Sequence, residues 1–173
     1  MHYLLLAGTA AIAFTDARRH LVPNVLVLPM FVLALAGRIL EGKEAALHSL
    51  LSGAAFFFLG YVIFLIGGMG GGDVKLMAVL GVWHGLQAAY YIMVVAALIG
   101  LVWGIVKYLR AGILRERAAG FLSGIYLKAL GARGDVGWEK LPADPDAPVP
   151  ATAIPFGTCL ALAVLAREVA GLV

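Results

Sequence analysis

Residues 88–109, AAYYIMVVAALIGLVWGIVKYL, hold a single charge, Lys107. A hydrocarbon core about 30 Å thick needs about 20 apolar residues of helix to cross it, so this run reads as a membrane span. Working outward, similar runs occupy 3–18, 21–40, 47–66 and 152–173. A sixth, 74–84, has about half the length of a span. It reads as a broken or re-entrant helix, which a membrane tolerates where the segment is buried in protein or lines a cavity. Composition agrees: 62% of residues are hydrophobic and 13% charged, with a mean hydropathy of +0.97. Soluble domains carry about 25% charged residues, so a soluble monomer is excluded. Disorder, which needs low hydrophobicity and high charge, is excluded too. The expectation is an all-α, polytopic membrane helix bundle of about six transmembrane helices, one integral-membrane domain over 1–173.

Six alternating spans sort the charges. One side receives Arg18, Arg19, Lys75, Lys107, Arg110, Arg115, Arg117, Lys128, Arg133 and Lys140, and the other only Arg38, Lys43 and Arg167. By the positive-inside tendency the first side is cytoplasmic, and both termini are then non-cytoplasmic. The apolar run from Leu4 to Phe14 is preceded by no Lys or Arg and followed by Arg18 and Arg19. That is the reverse of a secretory signal, so it reads as a retained helix. A net charge of +3 sorted in this way points to no nucleic-acid partner. The long cytoplasmic connection at 110–151 has two parts. In 111–132, Phe121, Ile125 and Ala129, and beside them Leu122, Tyr126 and Leu130, recur at helical spacing near Arg115, Arg117 and Lys128. This fits a helix lying on anionic membrane lipid. Residues 140–151, KLPADPDAPVPA, contain four prolines and read as an extended linker.

Of ten acids, two fall near membrane depth, Asp16 and Asp73. Ionisable groups there are costly and mark functional sites. The topology puts both near the cytoplasmic face. Two carboxyl groups held close in a low-dielectric site supply an acid and a base at once, because one keeps its proton while the other is charged. Such a pair activates a water against a peptide carbonyl and protonates the leaving nitrogen, with no metal or other cofactor. The four histidines are scattered, and a single cysteine, Cys159, makes neither a disulfide nor a Cys-x-x-Cys zinc site. Five glycines within 67–72 precede Asp73. Bare positions such as Gly70 and Gly72 let an extended substrate strand approach the main chain, or serve as a hinge or as helix packing through small residues.

Gly70-Gly71-Gly72-Asp73-Val74-Lys75-Leu76 resembles the GxGD motif of the type IV prepilin peptidases, which there continues as GxGDxKL. Asp16-Ala17-Arg18-Arg19-His20-Leu21-Val22-Pro23-Asn24 is similar to the family's first motif, an Asp and a basic residue followed by hydrophobic-Pro-Asn. Ile154-Pro155-Phe156-Gly157 resembles the Pro-aromatic-Gly start of its last helix. The resemblance implies that Asp16 and Asp73 are the catalytic pair of a leader peptidase acting on prepilin-like proteins at the cytoplasmic face of the cell membrane. Long members also N-methylate their product and carry paired Cys-x-x-Cys motifs. This chain has one Cys, so it looks like the short peptidase-only members that serve Flp/tight-adherence pili, or archaeal preflagellin peptidases. Pro23 and Asn24 are expected to start the second helix and hold the loop carrying Asp16, and Pro155 to start the last helix. Lys75 is expected either to act on Asp73 or substrate, or to be an interfacial lysine; His20 and His84 are expected at the interface. A presenilin-like protease shares GxGD but has Pro-Ala-Leu where this chain has Ile-Pro-Phe. A small transporter or proton channel using both carboxylates as a relay is the reading from another class, with no internal repeat to support it. A membrane scaffold, indifferent to both aspartates, is a third.

Overall fold

The computed structural model describes residues 2–65, 69–130 and 153–171. Six helices run in order: α1 (His2–Arg19), α2 (Asn24–Glu41), α3 (Lys43–Leu65), α4 (Gly71–Arg110), α5 (Leu114–Ala129) and α6 (Phe156–Val169). No strand occurs among the described residues, so the all-α expectation holds. α2, α3 and α4 are each long and apolar enough to cross a membrane.

The helix boundaries follow local chemistry. α2 starts at Asn24 rather than 21 because Pro23 occupies the capping position in extended conformation, with φ −69°. The Pro23 carbonyl accepts the amides of Leu26 and Val27 at 3.1 and 3.2 Å. α2 and α3 are separated only by Gly42, whose φ of 126° a side chain would oppose. α3 begins at Lys43, ahead of the apolar run at 47, with Glu44 in its first turn, where a negative charge suits the helix dipole.

The expected spans 74–84 and 88–109 lie within α4, which leaves helical geometry at Gly85 (φ 75°, ψ 178°). A straight helix would separate Asp73 from Lys107 by about 51 Å at 1.5 Å per residue. Yet Lys107 Nζ donates to Ala153 O at 2.6 Å, and Asp73 Oδ1 lies 3.1 Å from where a Cβ on Gly157 would stand. Residues 153–157 can span at most about 17 Å. The arms 71–84 and 86–110 therefore double back at Gly85 as a helical hairpin. The carbonyls just before the break find side-chain donors. Ser49 Oγ donates to Val82 O, and Arg38 Nη2 donates to Trp83 O at 2.6 Å. His84 meets Arg167 of α6, Nδ1 to Nη1, at 3.2 Å.

Small residues set the closest helix contact. A Cβ on Gly81 would meet Ser52 O at 2.8 Å and the Gly53 Cα at 2.9 Å, so α3 and the first arm of α4 touch backbone to backbone. Leu5, Ile12, Leu76, Met77, Ile92 and Leu160 are fully buried between the helices. α1 packs on α2 and α6, and α4 packs on α2, α3 and α6, while α1 and α4 do not pack on each other. The four helices α1, α2, α4 and α6 thus close a ring, with α1 and α4 on opposite sides.

α5 is the helix expected in the first half of the long connection. It packs on α4 alone among the described elements and exposes Leu122 and Tyr126, as does the turn after it with Leu130. The linker expected at 140–151 lies outside the described residues.

Candidate active site

The two aspartates come from opposite sides of the helical ring. Asp16 is in the last turn of α1 and Asp73 in the first turn of α4. Both are buried, at 3% and 8% exposure, where an apolar bundle would ordinarily hold no acid. Between them stands the first turn of α6. A Cβ at Gly157 would lie 3.0 Å from Asp16 Oδ2 and 3.1 Å from Asp73 Oδ1. Both carboxyl groups therefore converge on one point above a glycine, and any side chain there would occupy it.

Each carboxyl group is held differently. Thr158 donates both its amide, at 2.7 Å, and its hydroxyl, at 3.1 Å, to Asp16 Oδ2. The same hydroxyl lies 3.2 Å from Ala13 O, so α6 is tied to α1 at this level. Asp73 is positioned by its own backbone: Gly70 precedes α4 in extended conformation, and its carbonyl accepts the amides of Asp73 and Val74 at 3.1 and 3.3 Å. Asp73 Oδ1 is buried with no hydrogen-bond partner among the described residues.

The remaining candidates brace this arrangement. A Cβ on Gly72 would come within 2.7 Å of Val22 Cβ, so the bare position lets α4 seat against the turn before α2. Lys75 is exposed and donates to Asn24 Oδ1 at 2.9 Å, joining α4 to the start of α2. Pro155, with φ −75°, turns the chain into α6, and its carbonyl accepts the Cys159 amide at 3.2 Å. The three quoted motifs, distant in sequence, thus meet around one site: 16–24 touches 70–76 through Val22 and Asn24, and 154–157 delivers Gly157 between the acids.

Gly157, Thr158 and His20 are the residues that sequence reasoning underweighted. Gly157 was visible only as the end of a Pro-Phe-Gly motif. Thr158 carried no signal, since a threonine in an apolar run is ordinary. His20 is half-buried just after α1, at φ 49°, an unusual backbone for a non-glycine residue. Its amide donates to Asp16 O at 2.8 Å, and its Nδ1 is buried with no partner among the described residues. Burial holds the imidazole below its usual range; the Asp16 carboxylate opposes that and the Lys107 charge adds to it. No three His, Cys, Asp or Glu side chains among the described residues gather into a metal-binding group.

A sequence model described as the type IV leader peptidase family matches residues 3–105, a stretch that includes both Asp16 and Asp73. The chain belongs to the type IV leader peptidase family. Similar curated proteins carry the name prepilin leader peptidase/N-methyltransferase. One from Pseudomonas aeruginosa is 36% identical over 111 residues, covering 60% of this chain and 38% of that protein. One from Xanthomonas campestris is 34% identical over 128 residues, covering 70% and 44%. One from Neisseria gonorrhoeae is 35% identical over 117 residues, covering 63% and 41%. The match therefore spans less than half the length of these relatives. No solved structure gives a significant match. The family model stops short of α6, the helix that contributes Gly157 and Thr158.

Proposed function

We propose that this chain is a membrane-embedded aspartic endopeptidase that removes the basic leader of prepilin-like proteins. The observation that carries the reading is the convergence of two buried carboxyl groups, Asp16 and Asp73, on one point above Gly157 in a chain of the leader peptidase family. A water between the two groups gives a proton to the charged carboxylate as its oxygen attacks the scissile carbonyl carbon. The protonated carboxyl group hydrogen-bonds the carbonyl oxygen, stabilising the charge that develops there. Collapse of the tetrahedral adduct breaks the C–N bond, and the leaving nitrogen takes up a proton from the acid. The products are a free leader carboxylate and a new N-terminal amine.

The helical hairpin of α4 and the three long apolar helices fit a six-span arrangement, and the bias of Lys and Arg to one side favours both termini non-cytoplasmic with the acids near the cytoplasmic face of the inner membrane. The substrate's hydrophobic helix lies in the bilayer beside the enzyme, and its leader reaches the carboxyl pair from the cytoplasmic side. The proposal is for hydrolysis alone. Cys159 is buried in α6, and these 173 residues hold no Cys-x-x-Cys pair. The relay reading has no comparable support, since the family is one of peptidases.

The test is to co-express the full chain with a prepilin-like protein and determine the N-terminus of the product. Cleavage at one bond just before the hydrophobic helix, leaving an unmethylated amine, is the expected result. An intact leader in membranes containing folded enzyme would contradict the peptidase reading. A methylated N-terminus would contradict the restriction to hydrolysis.

A further inference from the structure

The short hydrogen bonds fall unequally on the two acids, although the backbone amides of Gly70 and Gly157 also act on the Asp73 carboxyl group and that of Gly157 on Asp16. Asp16 Oδ2 receives the Thr158 amide at 2.7 Å and the Thr158 hydroxyl at 3.1 Å. Asp73 Oδ1, facing the same point above Gly157, is buried and receives none among the described residues. Donors directed at a carboxylate favour its charged form, whereas a buried carboxyl oxygen without donors favours the neutral form. We propose that Thr158 is a positioning residue that makes Asp16 the general base and leaves Asp73 as the general acid. This assignment rests on the peptidase reading above and deepens it.

The Thr158 hydroxyl has one hydrogen and two acceptors in reach, Asp16 Oδ2 at 3.1 Å and Ala13 O at 3.2 Å. The charged oxygen is the stronger acceptor, so the hydroxyl turns to Asp16 when that group is ionised. When Asp16 takes the proton from water during attack, the hydroxyl can turn to Ala13 O without leaving either group stranded. The titratable groups around Asp16 are His20 after α1, Asp73 from α4 and Cys159 from α6. The charged residues of α2, Arg38 and Glu41, lie in its last turn, at the opposite end from Pro23.

The pH dependence of cleavage separates this role from a structural one. A prepilin-derived peptide comprising leader and hydrophobic helix is cleaved by the full chain in detergent between pH 5 and 9. Thr158→Val removes the hydroxyl donor and keeps the amide. It should cut the rate about tenfold at pH 6 and recover toward the parent rate by pH 9. That amounts to an acid limb moved up by about one pH unit, the equivalent of one hydrogen bond to a charged group. Thr158→Ser, which restores the hydroxyl, should restore the limb, and Thr158→Ala guards against misfit of the valine methyl. An unmoved acid limb in both Val and Ala variants overturns the assignment. So does a uniform loss at every pH, since the amide alone should keep Asp16 working at high pH. Asp16→Asn and Asp73→Asn, run beside them, distinguish the two failures. If either Asn variant cleaves, the peptidase mechanism falls; if both are dead and the limb is unmoved, only the role of Thr158 falls.

Discussion

At position 157 one missing side chain decides the geometry of the site. Alanine there would put a methyl carbon 3.0 to 3.1 Å from oxygens of both acids, inside ordinary van der Waals contact. The helix need not unfold for the carboxyl groups to be pushed apart by a few tenths of an ångström, and the point where a water would sit would be lost. A displacement of about 1 Å in a catalytic arrangement can cost about 100-fold in rate. Gly157→Ala is accordingly expected to lower the cleavage rate 10- to 100-fold, with a melting temperature in detergent close to that of the parent. A melting temperature lowered in proportion to the rate would assign Gly157 to folding instead. Lys75 is a contrasting case. Its bond to Asn24 is exposed, so Lys75→Ala should cost well under about 1 kcal/mol of stability. At this scale the two acids were legible because charge is so scarce in the chain. The glycine and threonine between them were not, since their importance depends on which helix face α6 turns toward α1 and α4.

Among the elements, α4 departs most from simple helix formation. Two spans separated by a few residues were expected, and the chain instead reverses at Gly85 alone. Its φ of 75° and ψ of 178° belong to a region essentially restricted to glycine. No neighbouring atom lies within 4 Å of a Cβ placed there, so the penalty for a side chain is purely one of backbone conformation. Gly85→Ala should lower stability by about 1–3 kcal/mol, read as a drop in thermal midpoint in detergent. Arg38→Met should cost a similar amount, about 1–3 kcal/mol, by leaving the Trp83 carbonyl without the donor that Arg38 supplies. An unchanged midpoint in both variants would mean that the hairpin does not depend on this corner. Periodicity could not have found the corner. Both arms are apolar on nearly all faces, so alternation of spans implies the reversal, but nothing in the pattern says that it is made at one glycine inside a single helix.

Across the whole molecule, the apolar runs became helices, of which α2, α3 and α4 are long and apolar enough to cross a membrane, while the run expected at 152–173 gives a helix of 14 residues. The arrangement of those helices was far less visible. The ring of α1, α2, α4 and α6 rests on contacts such as Gly72 with Val22, and on which short residues face which partner. The proposed topology is open to direct labelling. Glu116, in α5, and Lys43, at the start of α3, are both exposed, and the one native cysteine is buried. With Glu116→Cys, a membrane-impermeant maleimide should label inverted vesicles and spare intact spheroplasts, and with Lys43→Cys it should do the reverse. The opposite pattern would invert the orientation and move the acids away from the cytoplasmic face.

The most direct measurement is processing of a prepilin-like substrate by membranes containing equal amounts of the parent chain, Asp16→Asn or Asp73→Asn. Each substitution keeps the size of the side chain while removing its ability to take up and release a proton. The account predicts complete cleavage by the parent and no mature product from either variant. Full processing by either one would contradict the claim that the two carboxyl groups meeting at Gly157 perform the reaction together.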